Sequence, residues 1–243
     1  MHGYVILYPG ETSEIIIWQK GDWMINTVLL DMDGTIIDSG PGIMRCINHT
    51  LKHYGLPEAD VATLRKCVGP PLSDTFRNRF GFPEEQIMEA IQVYRAEYNA
   101  GGIFECTLYP GIAKCIRTLH DKGYDVVVTS SKHDVACKRI VEHFDLQDNF
   151  YDVIGSTTDA SRETKTEVLE AFFELHPDHK KDEAILVGDT KFDAEGAKNA
   201  GLKFLAVTYG YGTRESLQQT EALALLDTAD KIADYIVDNR LIL

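Results

Sequence analysis

Short apolar runs alternate with helical patterns along most of the chain. Five runs rich in Val, Ile and Leu and bounded by turn residues predict strands covered on both faces, at residues 27–31, 125–129, 152–155, 184–188 and 203–208. Strands that alternate with helices in this way are typical of a parallel sheet with crossover helices. The pattern therefore predicts an α/β fold.

The gap between the first two predicted strands is far longer than one crossover helix requires. Helical patterns fill it, at residues 43–54, 60–67, 72–80 and 84–99. Glycine-containing stretches near 40–42 and 101–107 could act as linkers, so that this segment closes over the sheet and expels water. We predict an N-terminal extension of uncertain status, a core in two pieces and an inserted helical cap, at residues 1–23, 24–41 with 105–243, and 42–104.

The two ends of the chain carry apolar patterns of their own. Residues 4–18 place two apolar runs around a proline-glycine turn, which predicts a β-hairpin. The codons allowed just before Met24 include a run that resembles a bacterial ribosome-binding sequence, so we expect residues 1–23 to be upstream sequence read in frame. Residues 222–226 and 241–243 predict a final helix and a tail packed on the core.

Charge and cysteine content narrow the possible partners. The 243 residues carry a formal net charge of −14, which disfavours attraction to nucleic acid or anionic membranes. The five cysteines form no Cys-x-x-Cys pair and favour reduced thiols in a cytoplasmic protein. No apolar run approaches the roughly 18 to 20 residues of a membrane span. We expect a cytoplasmic monomer or homodimer that binds a small molecule.

The first predicted strand ends in two carboxylates, Asp31 and Asp33, followed by Gly34 and Thr35. Ligands of open parallel sheets bind beyond the carboxyl ends of the strands, so Asp31 is predicted to lie in the active crevice. Gly34 allows the chain to turn there, so that one carboxylate can attack while the other moves protons. A helix cap formed by the two aspartates is the alternative.

Two further strands end in groups that suit an anionic ligand. Thr129 and Ser130 follow the second strand, where hydroxyls and backbone amides can hold a phosphate or simply cap a helix. Asp189 follows the fourth strand, and Asp193 comes four residues later. Carboxylates at neighbouring strand ends suit Mg²⁺, which prefers oxygen ligands. Either aspartate could instead cap the next helix.

Together with Lys165, these segments resemble the motifs of the haloacid dehalogenase superfamily, in particular its subgroup similar to phosphoglycolate phosphatases. The match consists of Asp31-Met-Asp33-Gly-Thr35, the hydroxyl after residues 126–128, Lys165, and Gly188-Asp189-Thr-Lys-Phe-Asp193. The resemblance implies a Rossmann-like three-layer core with a small all-helical cap domain. It also implies a phosphatase that hydrolyses a small phosphorylated metabolite, as a phosphoglycolate phosphatase or a 5'-nucleotidase does.

The resemblance further implies a role for each motif residue. Asp31 would attack phosphorus and form an aspartyl-phosphate, and Asp33 would protonate the leaving oxygen and then activate water. Lys165 would neutralise charge, and a hydroxyl would bind a phosphoryl oxygen. Strand register favours Thr129 for that hydroxyl, whereas counting back from the following lysine favours Ser130; we predict Thr129.

Mg²⁺ is the implied cofactor. Its ligands would be the Asp31 carboxylate, the Asp33 carbonyl and Asp189, with Asp193 a ligand or an anchor for the other groups. Other residues are predicted to contact phosphate or substrate: Gly34, Thr35 and Ser130 in the core, Arg162 before the motif lysine, and Gly69, Pro70 and Leu72 in the cap. For Arg162 a surface ion pair is as good an explanation.

Three other functions fit the same pattern less well. A haloacid dehalogenase typically lacks an acid at the position of Asp33, because it has no leaving oxygen to protonate. A sugar phosphomutase of this subgroup would carry a histidine after the first motif, and residues 38–43 contain none. A binding protein without catalysis would not need all four motifs.

Overall fold

The computed structural model describes residues 25–157 and 162–241. Its strands are β1 Thr27–Leu30, β2 Ile37–Asp38, β3 Thr107–Leu108, β4 Asp125–His133, β5 Asp152–Ser156, β6 Ala184–Gly188, β7 Lys203–Val207 and β8 Leu225–Leu226. Its α-helices are α1 Gly40–His53, α2 Val61–Arg65, α3 Leu72–Asp74, α4 Glu84–Ala100, α5 Ile112–Asp121, α6 Asp134–His143, α7 Lys165–Leu175, α8 Lys191–Ala200, α9 Arg214–Leu217 and α10 Asp230–Leu241.

Six of the described strands form one parallel sheet in the order β5-β4-β1-β6-β7-β8. β1 lies between β4 and β6, with Leu30 opposite Val128 and Val187. All five strands predicted from the sequence are present. β4 is longer than predicted, because its register shifts after Thr129 and it pairs again with β5 at His133.

Helices cover both faces of the sheet. Leu29 points to one side and packs in a buried cluster with Phe172 of α7, whereas Leu30 points to the other side and shares a cluster with Ile116 of α5. This alternation along a strand is expected for a period of two. The predicted Rossmann-like α/β fold is therefore confirmed.

The long gap between β1 and β4 contains α1 to α4 between β2 and β3, followed by α5, and all four predicted helical patterns are present. The pattern at 72–80 divides into α3 and a π-helical turn, Thr75–Arg79. The aromatic rings of Phe76, Phe82 and Tyr54 pack here, with centroids 5.0 to 5.2 Å apart. The proposed division into a cap at 42–104 and a two-piece core stays a prediction.

The chain leaves and re-enters the core side by side. β2 and β3 pair as a short antiparallel ribbon, with Ile37 opposite Leu108 and Asp38 opposite Thr107. This ribbon forms the base of the helical segment that runs from α1 to α4.

The prediction for residues 222–226 is wrong, because part of this stretch extends the sheet as β8 instead of forming a helix. The Ala206 and Thr208 N–H groups of the neighbouring strand donate to the carbonyls of Ala224 and Leu226, at 3.0 and 2.8 Å. An edge strand offers unpaired backbone groups, and a short apolar stretch can satisfy them. The final helix is α10, which starts further along the chain.

Several sequence-based expectations fall outside the described residues. They are the hairpin at 4–18, the origin of residues 1–23 and the end of the tail at 242–243. Among the residues that are described, no helix combines the length and apolar character needed to cross a membrane.

Candidate active site

The carboxyl ends of three adjacent strands bring the predicted residues together. Asp31 follows β1, and its N–H donates to the Val187 carbonyl of β6 at 3.0 Å. On one side of β1, Thr129 follows Val128, the residue of β4 that pairs with Leu30. On the other side, Asp189 directly follows β6. The side chains of Asp31, Thr129 and Asp189 are buried, so the site lies below the surface.

Lys165 joins these strand ends. Its Nζ lies 2.5 Å from Asp31 Oδ1 and 2.9 Å from Asp193 Oδ1, and it donates to the Thr129 carbonyl at 2.9 Å. The residue begins α7, where a capping box between Thr164 and Glu167 fixes the helix start. The lysine is therefore a buried group held by three partners, not an exposed surface charge.

Three carboxylates lie together here, and Lys165 contacts two of them. Ligand oxygens of Asp31, Asp189 and Asp193 all lie within 4.8 Å of one another, and all three residues are buried. Burial raises the pKa of Asp31 to about 6 even though Lys165 lowers it. Burial and the neighbouring charges of Asp193 and Asp31 raise the pKa of Asp189 well above its usual range.

The donor set fits a hard divalent cation. Asp189 Oδ2 accepts from the Tyr211 N–H at 2.6 Å, whereas its buried Oδ1 has no hydrogen-bond partner in the described part of the chain. Three carboxylates against one lysine also leave negative charge in a buried place, which a cation would balance. Asp193 differs, because Lys165 contacts its Oδ1 and Thr190 donates to its Oδ2 from both N–H and hydroxyl. Its geometry suits an anchor better than a direct ligand.

The residues after Asp31 form a tight turn beside Asp189. Gly34 has a φ of +89°, and a Cβ there would lie 2.1 Å from Asp189 Oδ2. Glycine is therefore required both by the backbone conformation and by the close approach. Thr35 is buried, and its hydroxyl has no hydrogen-bond partner among the described residues. Its contact with phosphate stays a prediction.

The two candidate hydroxyls of β4 differ in their partners. Thr129 Oγ1 is buried and has no hydrogen-bond partner within the described residues. Ser130 Oγ accepts from the Lys132 N–H at 3.3 Å. Thr129 is favoured as the phosphate ligand because its hydroxyl is free and its carbonyl contacts Lys165, and its role stays a prediction.

The remaining predicted contact residues have neighbours of other kinds. Arg162 Nε donates to the Gly155 carbonyl at 2.7 Å, so this side chain is tied to β5. Pro70 lines an open cavity of about 390 Å³ within the helical segment, whose other lining residues lie between 66 and 79. Leu72 packs against the main apolar cluster, and Gly69 adopts a φ of +104°. Substrate contacts by these residues stay predictions.

Three features of the site were missed in the sequence. Lys132 Nζ lies 3.0 Å from Asp33 Oδ2 and donates to the Tyr98 hydroxyl at 2.8 Å. A lysine a few residues after the apolar run at 126–128 was the available signal, but its partners are distant in sequence. Glycine 196 was also missed: a Cβ at Gly196 would lie 2.4 Å from Lys165 Cγ, so glycine makes room for the lysine.

The loop after β7 was the other omission. The Tyr211 hydroxyl donates to Asp38 Oδ1 and accepts from the Gly40 N–H, while its N–H binds Asp189. A Cβ at Gly210 would lie 2.2 Å from Asp189 Oδ2. Two tyrosines and two glycines directly after a predicted strand were the signal for this loop.

Comparison with known proteins agrees with this geometry. The chain is 34% identical over 224 residues to the tyrosine-protein kinase PtkA of Mycobacterium tuberculosis, covering 91% of this chain and 71% of that protein. It is 31% identical to a 5'-nucleotidase of Pseudomonas aeruginosa, covering 79% of this chain and 86% of that protein.

A crystal structure of a predicted phosphatase from Clostridium acetobutylicum superposes with a TM-score of 0.83. It shares 36% sequence identity, and the match covers 88% of this chain and 99% of that one. Residues 28–207 match the family model for haloacid dehalogenase-like hydrolases, a span that contains every predicted catalytic residue. The chain therefore belongs to the haloacid dehalogenase-like hydrolase family, as its motifs predicted.

Proposed function

We propose that this protein is a Mg²⁺-dependent phosphatase that hydrolyses a small phosphomonoester through an aspartyl-phosphate on Asp31. The observation that carries the proposal is the buried contact between Asp31 and Lys165, with Asp189 and Asp193 beside it. A carboxylate fixed in this way at a strand end suits nucleophilic attack, and the lysine suits stabilisation of negative charge on the transferring group.

The proposed reaction has two steps. An Asp31 oxygen attacks phosphorus while the bond to the leaving oxygen breaks, and Asp33 gives that oxygen a proton. Asp33 then removes a proton from water, whose oxygen attacks phosphorus and releases Asp31 and inorganic phosphate. Lys165 and the free hydroxyl of Thr129 hold phosphoryl oxygens. Asp31, Asp189 and the Asp33 carbonyl would hold Mg²⁺, whose charge would let the anionic nucleophile approach the anionic phosphate.

The identity of the substrate and of the acceptor goes beyond the family assignment. The similarity to a 5'-nucleotidase favours a nucleoside monophosphate and water as acceptor, and phosphoglycolate is the other candidate from the sequence motifs. The similarity to a protein named a tyrosine-protein kinase makes transfer to a hydroxyl the alternative to be tested.

The experiment measures phosphate release from phosphoglycolate, nucleoside monophosphates, sugar phosphates and pyrophosphate, with Mg²⁺ or with EDTA. We expect activity that requires Mg²⁺ and falls more than about 10³-fold in Asp31→Asn, because the nucleophile is lost. Asp178→Asn is the matched control, since Asp178 is exposed and lies outside the site. Release that persists in Asp31→Asn would contradict the proposed mechanism, and phosphorylation of tyrosine peptides added together with ATP, which leaves ADP, and no release of phosphate from the panel would favour a kinase.

A further inference from the structure

A lysine that has no part in the reaction described above connects Asp33 to the helical segment. Lys132 lies near the end of β4, and its side chain is only 9% exposed. Its Nζ contacts Asp33 Oδ2 at 3.0 Å and donates to the Tyr98 hydroxyl at 2.8 Å. Tyr98 belongs to α4, so one ammonium group bridges the sheet, the proposed acid–base group and the inserted helices.

Tyr98 is itself firmly held. Its ring stacks on that of Tyr94 with a centroid distance of 5.6 Å and an interplanar angle of 12°. Lys132 Nζ also lies 4.8 Å from the centroid of the Tyr98 ring, close enough for a cation–π contact. Burial raises the pKa of Tyr98 to about 12, so its hydroxyl stays protonated at neutral pH. The phenol is thus a fixed neutral acceptor for the lysine.

The two carboxylate oxygens of Asp33 differ in their hydrogen-bond partners. Oδ2 is paired with Lys132, whereas Oδ1 is buried and has no hydrogen-bond partner in the part of the chain that the structure describes. A charge-assisted hydrogen bond restrains the carboxyl rotation, because turning the group would break it in a buried place. Oδ1 is therefore the oxygen available for proton transfer.

We propose that Lys132 is a positioning residue which, braced by Tyr98, holds the Asp33 carboxyl so that Oδ1 can reach the leaving oxygen. This inference rests on the proposed phosphatase function and assigns a role in the protonation step to residues outside the four motifs. Small displacements of a proton donor lower the rate of the protonation step, because general acid catalysis needs a donor within hydrogen-bond reach of the leaving oxygen. The orientation of the acid therefore also depends on where α4 places Tyr98.

The test uses two substrates that differ in their need for a proton donor. An alkyl phosphate has a poor leaving group that must be protonated, whereas dinitrophenyl phosphate releases a stable anion without help. In each case kcat/KM reports the steps up to cleavage of the bond to the leaving group, so slow hydrolysis of the aspartyl-phosphate does not enter.

For Lys132→Met we expect kcat/KM for the alkyl phosphate to fall about 10²-fold, the lower end of what general acid catalysis contributes, while that for dinitrophenyl phosphate changes less than about 3-fold. Tyr98→Phe keeps the ring and removes one hydrogen bond, so it should show a smaller loss with the same selectivity. Lys138→Met removes an exposed lysine of α6 and should leave both values unchanged.

Equal losses on both substrates, in Lys132→Met or in Tyr98→Phe, would mean a purely structural role and would overturn the inference. Unchanged activity of Lys132→Met on the alkyl phosphate would overturn it as well. Wild-type protein that hydrolyses neither ester would instead count against the proposed function itself.

Discussion

At the scale of single residues, the buried aspartates of the site lower the stability of the metal-free protein. Asp31, Asp189 and Asp193 lie together in the interior, and among the described residues Lys165 is the one cationic side chain that contacts Asp31 and Asp193. Without a bound cation, folding brings these carboxylates together and removes them from water, and both effects oppose ionisation. The cluster therefore destabilises the folded protein when no cation is bound, which is expected of a cation-binding site.

Asp189→Asn should stabilise the metal-free protein. The pKa of Asp189 is raised by burial and by Asp193 and Asp31, so its ionised form opposes folding at neutral pH. Asparagine can still accept from the Tyr211 N–H, and we expect a melting temperature about 2–4 °C higher, as for a gain of about 1 kcal/mol in a chain of this size. Thermal unfolding in EDTA measures the effect.

The same variant provides two controls. The gain should shrink as pH falls toward the ordinary aspartate pKa, because the wild-type carboxyl is then protonated in both folded and unfolded chains. Added Mg²⁺ should raise the melting temperature of the wild type and have little effect on Asp189→Asn. Equal stabilisation of both proteins by Mg²⁺ would mean that Asp189 is not a ligand.

At the scale of elements, the loop after β7 connects the acidic cluster to the linkers of the helical segment. Tyr211 binds Asp189 through its backbone and contacts Asp38 and Gly40 through its hydroxyl. Asp38 belongs to β2, which pairs with β3 where the chain returns to the core. A single residue therefore connects the acidic cluster to the start of the helical segment, through its N–H at one end and its hydroxyl at the other.

Tyr211→Phe should weaken this connection without removing a ligand. Two hydrogen bonds are lost at Asp38 and Gly40, one of them to a carboxylate, so we expect a loss of about 1–3 kcal/mol in the free energy of unfolding. Mg²⁺ affinity should change little, since the N–H of residue 211 still donates to Asp189. Urea unfolding and Mg²⁺ titration of the same preparation measure both quantities. A large loss of affinity at unchanged stability would contradict this division of roles.

The elements also show what the sequence could and could not predict. Strands such as β6 were predicted to the residue, because an apolar run bounded by turn residues is a local signal. The edge strand β8 was missed, because its conformation depends on pairing with β7. Lys132 was missed for a similar reason: Tyr98 lies 34 residues away, and the pair meets only in the folded chain.

At the scale of the whole molecule, the helical segment and the sheet share one buried apolar cluster. It contains Cys46 and Cys67 from the helical segment and Cys115 and Cys137 from the core. A continuous cluster favours a single cooperative unfolding transition, even though the chain order predicts an inserted cap. The cysteines thus report separately on the two parts of the molecule.

The native protein should resist alkylation at pH 8. Burial raises the pKa of Cys46 to about 11 and that of Cys115 to about 12, so on the order of 0.1% or less of either thiol is ionised, and the thiolate is the reactive form. In increasing urea, we expect Cys46, Cys67, Cys115 and Cys137 to become reactive over the same concentration range, because the shared cluster is lost as one unit. Pulsed iodoacetamide labelling followed by peptide mass spectrometry measures each site. If Cys46 and Cys67 react at lower urea than the other two, the helical segment unfolds on its own, and the cluster does not couple it to the core.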